Sequence, residues 1–212
     1  MRITKFEHAE LVLEEAGSKL VVDPGNFSRL VPGPEGVAAV VITHEHPDHW
    51  TPEQLASILA ASPDARVFGA AGVAAAVGEY APVEVVHAGD EVVVGPFALR
   101  FYGGRHAVIH STIPVVDNLG VLVNGVFAYS GDSFAVPPEP VDVLAAPAGA
   151  PWMKIAETMD YVLEVAPKRV FAVHDAVLSG PGKAMADGRL TWAVEQGGGS
   201  FVPLSPGESF EV

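Results

Sequence analysis

Val37-Ala38-Ala39-Val40-Val41-Ile42-Thr43-His44-Glu45-His46-Pro47-Asp48-His49 runs without a break from an apolar stretch into three histidines and two acids. The apolar half, Val37 to Thr43, has the continuous hydrophobicity of a strand buried on both faces. A helix is predicted just beyond the cluster, from Pro52 to Ala61. Thr51 is its N-cap and Pro52 its first residue, and Leu55, Ile58 and Leu59 line one face. The histidines therefore lie at a strand-to-helix junction, where a sheet fixes the backbone and a loop leaves the side chains accessible. His44 and His46, two apart in extended chain, point to the same side and can converge on one metal ion. Asp48 and His49 follow a proline bend and can reach a second ion roughly 3.5–4 Å from the first. Imidazole and carboxylate without thiolate suit Zn, Mn or Fe.

Short strands precede this segment at Ile3–Glu7, Glu10–Glu14 and Lys19–Val22, the last stopped by Asp23-Pro24-Gly25. Beyond it the pattern gives a strand at Arg66–Phe68, a helix over Ala70–Tyr80 and strands at Val83–Val86, Glu91–Val94 and Phe97–Phe101. Leu119–Val123 and Val126–Ser130 flank Asn124-Gly125, a strong hairpin signal. Then come a strand at Val141–Ala145, a helix at Met153–Val165, a buried strand at Arg169–Val173 and a weaker helix within Gly182–Gln196. Ser200–Pro203 and Glu208–Val212 read as a closing hairpin. Antiparallel runs punctuated by helices suggest an α+β protein with a sheet-on-sheet core and helices outside, not a doubly wound parallel sheet.

The chain has 212 residues, of which 49% are apolar and 18% charged; that suits one folded domain and excludes intrinsic disorder. Twelve basic residues against 26 acidic ones give a net charge of −14, which repels nucleic-acid backbones and anionic lipid. The expectation is a small-molecule substrate, with neither nucleic acid nor membrane as partner. Cysteine is absent, so thiol catalysis, thiolate zinc sites and disulfides are excluded. Met1 to Gly17 has no apolar core of the signal-peptide kind, and the longest apolar run, Val37–Ile42, has six residues against the ~20 that span a bilayer. A cytoplasmic location is expected. Neither G-x-G-x-x-G after the first strand nor a Walker A sequence occurs.

Thr43-His44-Glu45-His46-Pro47-Asp48-His49 resembles the H-x-H-x-D-H signature of the metallo-β-lactamase superfamily, and the family's other landmarks follow in order. These are Gly103-Gly104-Arg105-His106 after a strand, Ser130-Gly131-Asp132-Ser133 at a strand end, and His174 closing the buried run Val170–Val173. The resemblance implies a four-layer αββα sandwich spanning residues 1–212 as one domain, with a dinuclear centre at one edge. It implies His44, His46 and His106 on one ion, Asp48, His49 and His174 on the other, and Asp132 bridging both. The ions would be two divalent cations, zinc first, with manganese or iron as alternatives. It further implies a hydrolase that directs a metal-bridging hydroxide at an ester, lactone or phosphoester, with Asp48 and Asp132 as its catalytic carboxylates. Glyoxalase II adds a helical domain, the nucleases an inserted domain or basic exosite, and the flavodiiron proteins a flavodoxin domain. This chain is similar instead to the short stand-alone branch related to ascorbate-6-phosphate lactonase. A mononuclear iron oxygenase and a non-catalytic metal-binding scaffold are the other readings, and the intact set of seven ligands argues against the scaffold.

Six further residues have two readings each. Asp23 is either a turn former or the carboxylate that accepts the free N–H of a ligating imidazole. His8 is a strand-end histidine or approaches the site, as in one branch of the family. His110, four residues past His106, competes with it as ligand or borders the site. Trp152 is a core anchor or a pocket wall. Lys154, read as lying in the first turn of its helix, and Arg105, beside His106, are either solvated or grip an anionic substrate.

Overall fold

Leu11 and Leu13 pack into one apolar layer, while Val12 between them packs into another. This two-residue alternation, repeated along the inner strands of both sheets, sorts the core into three layers. The computed structural model describes residues 1–212. Its elements in chain order are β1 (Arg2–Lys5), β2 (Leu11–Glu15), β3 (Ser18–Val22), β4 (Val37–Ile42), α1 (Pro52–Ala61), β5 (Arg66–Gly69), α2 (Ala71–Val77), β6 (Val83–Val85), β7 (Glu91–Val94), β8 (Phe97–Arg105) and β9 (Asp117–Val123). They continue with β10 (Phe127–Tyr129), β11 (Val143–Pro147), α3 (Ile155–Val165), β12 (Arg169–Val173), α4 (Gly180–Gln196), β13 (Ser200–Phe201) and β14 (Ser209–Glu211).

Two seven-stranded sheets result, ordered β14-β1-β2-β3-β4-β5-β6 and β13-β12-β11-β10-β9-β8-β7. The central layer lies between them, with Leu20, Val22, Val41 and Phe68 meeting Phe101, Val121, Phe127 and Phe171. Behind the first sheet, Val40, Ile42 and Val67 pack on Leu55 and Ile58 of α1 and Val73 and Val77 of α2. Behind the second, Leu144, Ala146 and Val170 pack on Tyr161 and Val162 of α3 and Leu190 and Val194 of α4. The architecture is the expected α+β four-layer αββα sandwich. No helix is long and apolar enough to cross a membrane.

Both sheets are mixed rather than mainly antiparallel. β3 to β6 pair in parallel, as do β10 to β13. The closing hairpin does not form: β13 pairs with β12 in one sheet and β14 with β1 in the other. Pro203 and Pro206 lie in the connection, where they have no N–H to give to a ladder, and it crosses the end of the sandwich instead. The second helix is also shorter than the Ala70–Tyr80 expected, because Gly78, with φ +54°, ends it.

Strand direction places the site. Strand β3 runs parallel to β4, and β1 shares that direction because two antiparallel pairings separate it from β3. By the same reasoning β8 runs with β10, β11 and β12. The loops that follow β1, β3, β4, β8, β10, β11 and β12 thus open at the C-terminal ends of co-directional strands, and they carry every candidate residue except Arg105, which ends β8. Backbone bonds tie the two sheets at that edge, from Leu119 N–H to Thr43 O (2.9 Å) and from His174 N–H to His8 O (2.7 Å). Buried Lys5 on β1 adds an ion pair to Asp175, next to His174, at 3.0 Å.

Candidate metal centre

The loop after β4 is held in shape by backbone contacts that side chains would spoil. His49 N–H donates to His46 O (3.0 Å) and Asn26 N–H to Pro47 O (2.9 Å). Gly25 lies against the Asp48–His49 peptide, and a Cβ there would overlap the Asp48 carbonyl. Gly131 turns the chain after β10 with φ +59°, in contact with Asn118 and Thr43. Asn118, fully buried, accepts from Asp132 N–H (3.0 Å) and donates to Ser130 O (2.8 Å), so it builds the turn that presents Asp132.

Three overlapping groups of donor atoms result: His44, His46 and His106; His8, Asp48, His49 and His174; and His44, His49 and Asp132. Asp132 is central. Its Oδ1 lies 3.2 Å from His49 Nε2, and its Oδ2 lies 3.2 Å from His174 Nε2, 3.4 Å from His106 Nε2 and 4.0 Å from His44 Nε2. Asp48 Oδ2 lies 3.6 Å from His174 Nε2 and 3.7 Å from His49 Nε2. The structure thus brings together all seven residues assigned to the two ions, His106 included.

The hydrogen bonds decide where the imidazole protons sit. Thr43 Oγ1 and N–H both donate to Asp23 (2.8 Å each), so the hydroxyl can only accept from His44 Nδ1–H (3.0 Å). His49 Nδ1–H donates to Asp23 Oδ2 (2.7 Å), His106 Nδ1–H to Ala107 O and His174 Nδ1–H to Gly149 O (2.7 Å). These partners only accept, so in the neutral imidazoles all four Nε2 lone pairs face inward. Nε2 of His49, His106 and His174 and Oδ1 of Asp132 are buried with no hydrogen-bond partner. Converging, orphaned nitrogen and carboxylate oxygen donors fit one or two divalent cations of the zinc, manganese or iron kind.

Electrostatics point the same way. Burial alone would raise Asp132, but His49 and His174 hold its carboxyl well below the ordinary range. Burial opposes Asp48 too, and hydrogen bonds from His174 and His8 bring its carboxyl down. Against burial, Asp132 and Asp23 raise His49 well above its usual value, and Asp132 and Asp48 raise His174 to about 9. Burial, with His49 adding to it, pushes His44 well below its usual value; burial and His106 lower His46. The anionic carboxylates attract positive charge into the site, while His44 and His46 are held neutral.

Asp23 accepts from His49 and Thr43, as its metal-orienting reading requires. His8 enters the cluster, with Nε2 3.2 Å from Asp48 Oδ2 and its ring centroid 3.9 Å from that of His174. Its tautomer is the reverse of the other four: Nε2–H donates to Asp48 and buried Nδ1 has no partner. Trp152 is buried and its indole N–H donates to Asp132 Oδ2 at 2.7 Å. Three candidates stay outside. His110 is exposed, its Nδ1 turned back onto Thr112 Oγ1 (2.8 Å) and Thr112 N–H (3.2 Å), where it closes a local turn. Arg105, opposite Asp117 in the β8–β9 ladder, is exposed because His106, next along the extended chain, takes the inward direction. Lys154 is exposed at the N-cap of α3 rather than in its first turn, and its N–H donates to Glu157 (2.6 Å).

Residues 2–174 match the profile of the β-lactamase superfamily domain. The chain belongs to the metallo-β-lactamase superfamily. Among relatives of this superfamily member, protein Rv0786c of Mycobacterium tuberculosis is 41% identical over 196 residues, covering 90% of this chain and 92% of that one. Igni18, a metallo hydrolase from Ignicoccus hospitalis, superposes with a TM-score of 0.73 at 18% identity, covering 100% of this chain and 98% of its own. CmlA, a diiron β-hydroxylase from Streptomyces venezuelae, gives 0.74 at 16% identity, covering 100% of this chain and 54% of its own. At these identities the two structures share the fold.

Proposed function

We propose that this superfamily member is a hydrolase that holds two divalent cations and cleaves an ester, lactone or phosphoester bond of a small molecule. The observation that carries the reading is the set of four imidazoles whose Nδ1 protons are committed outward, leaving Nε2 lone pairs aimed at two carboxylates. His44, His46 and His106 would hold one cation, Asp48, His49 and His174 the other, and Asp132 both. Bound cations supply Lewis acidity and bring the pKa of water from 15.7 toward ~7.

The chain's own residues divide the remaining work. The Asp132 side chain is 4% exposed and stays an anion that fixes the spacing between the two halves. That of Asp48 is 23% exposed, so its carboxylate is the one that faces incoming substrate, held in place by the His8 Nε2–H bond at 3.2 Å. Phe27 packs edge-on against the His8 ring at 4.9 Å on that flank.

The test is a panel of lactones, phosphodiesters, phosphomonoesters and acyl thioesters, run with zinc-, manganese- and iron-loaded protein alongside metal analysis. Two zinc or manganese ions with hydrolysis support the reading, and Asp132→Ala should lose metal and turnover together while His110→Ala keeps both. A single iron with oxygen-dependent turnover would move the chain to the oxygenases. Metal binding without turnover anywhere in the panel would favour the scaffold.

A further inference from the structure

Asp132 has its backbone fixed and its carboxylate free to turn. Its N–H is bound by Asn118 Oδ1 and its C=O by Ala107 N–H (2.8 Å), which sets the Cα position. Rotation of the carboxylate about Cβ–Cγ is governed by a broad, weak torsion, so only contacts at the oxygens can hold its plane. That plane matters here, because Oδ1 faces His49 while Oδ2 faces His106 and His174. A quarter turn would withdraw both oxygens from the donor groups they face.

Once His44, His49, His106 and His174 ligate cations they cannot hold the plane, since each then turns an Nε2 lone pair, not a proton, toward the centre. Trp152 can. Its Nε1–H is a donor with no acceptor capacity and no second partner, directed at Oδ2 at 2.7 Å. An indole neither ligates a divalent cation nor takes a proton at neutral pH, so its N–H can act on the centre only through Asp132. Its own position is set on three sides: the ring meets Phe134 at 5.3 Å, His106 at 5.9 Å and His174 at 6.1 Å, each edge-on. The loop carrying it runs from β11 through Gly149, whose carbonyl orients His174, into α3.

We infer that Trp152 is a positioning residue whose indole N–H locks the Asp132 carboxylate across the two halves of the centre, and so sets the affinity for the second cation. The inference rests on the dinuclear reading above and concerns a residue that reading does not need.

The experiment compares the full chain, stripped with chelator, with Trp152→Phe and Phe134→Leu by calorimetric titration with zinc chloride. Trp152→Phe keeps a packed ring and loses the N–H; it should bind the first ion as the wild type does and the second 10–100-fold more weakly. Phe134→Leu loosens the packing and keeps the N–H, so it should lower the melting temperature and leave both affinities within about twofold. If the two variants lose zinc affinity alike, or Trp152→Phe binds two ions like wild type, the inference is overturned. Should Trp152→Phe fail to fold, the wild type still decides through the ¹H–¹⁵N signals of its three indoles. One should lie downfield, as a bond to a carboxylate requires, and move when the second zinc equivalent is added; three unresponsive signals would overturn the inference. Wild-type protein that takes up no zinc defeats the dinuclear reading instead, and the downfield indole can be read without it.

Discussion

Asp23 is the residue on which the tautomers depend. It binds Thr43 through N–H and Oγ1 and His49 through Nδ1–H, and it does so from a left-handed backbone, φ +48°. Asparagine tolerates that conformation, so Asp23→Asn changes chemistry with little change of shape. The amide oxygen would still accept from Thr43 N–H, but its NH2 would then face His49 Nδ1 and donate to it. The His49 proton would move to Nε2, the atom that faces Asp132, and the lone pair intended for a cation would be gone. Zinc affinity measured by competition with a chelator should fall ~10–100-fold in Asp23→Asn while the folded structure persists. Unchanged affinity would show that Asp23 acts as a turn former only. The seven candidate ligands were legible in the sequence because His, Asp and Gly cluster at strand ends. Asn118, the Gly149 carbonyl and the Thr43 hydroxyl were not, because a backbone carbonyl has no residue type and a single polar side chain at a strand end resembles many others.

Glu10, just before β2, shows how an element junction can hold a carboxyl without a charge. It is fully buried, accepts from Gln54 of α1 (3.2 Å), and its other oxygen has no partner. Burial, and then the nearby Glu7, push its pKa up to about 8. The folded state therefore keeps a proton that the unfolded chain releases near pH 4.5, and stability falls as pH rises through this window, by up to ~1.4 kcal/mol per pH unit, until about pH 8. Urea unfolding from pH 5 to 8.5 should show a steeper decline for wild type than for Glu10→Gln, which has no proton to lose; parallel curves would refute a neutral Glu10. Nothing in the sequence marks Glu10 as buried, since alternation alone puts an acid before Leu11 on the solvent side. Strand existence was otherwise readable: the Asn124-Gly125 hairpin forms with φ +53° and +65°, and α1 starts at Thr51 with its hydroxyl accepting from Gln54 N–H. Pairing partners were not readable, because parallel neighbours such as β3 and β4 are chosen by packing far along the chain. The split of β13 and β14 has the same cause, as each short strand finds an unfilled sheet edge.

Each half of the centre takes donors from both sheets. His44, His46, Asp48 and His49 follow β4 in the first, whereas His106, Asp132 and His174 follow β8, β10 and β12 in the second. A cation bound by His44, His46 and His106, or by Asp48, His49 and His174, would therefore join the sheets at an edge where hydrogen bonds and the Lys5–Asp175 pair already cross. Cations that bind the folded chain and not the unfolded one stabilise it by about 4 kcal/mol at a thousandfold excess over Kd. For a chain of this length each kcal/mol moves the melting temperature by roughly 2–4 °C, so removing metal should lower it by on the order of 10 °C. Calorimetric melts of stripped and zinc-reloaded protein measure that increment. His87 and His110 are exposed and can bind zinc weakly, so the assignment needs two controls. The increment should survive the double change of His87 and His110 to Ala and vanish in Asp132→Ala. Melts that coincide with and without zinc, or an increment that persists without Asp132, would mean that metal does not bridge the two sheets of this sandwich.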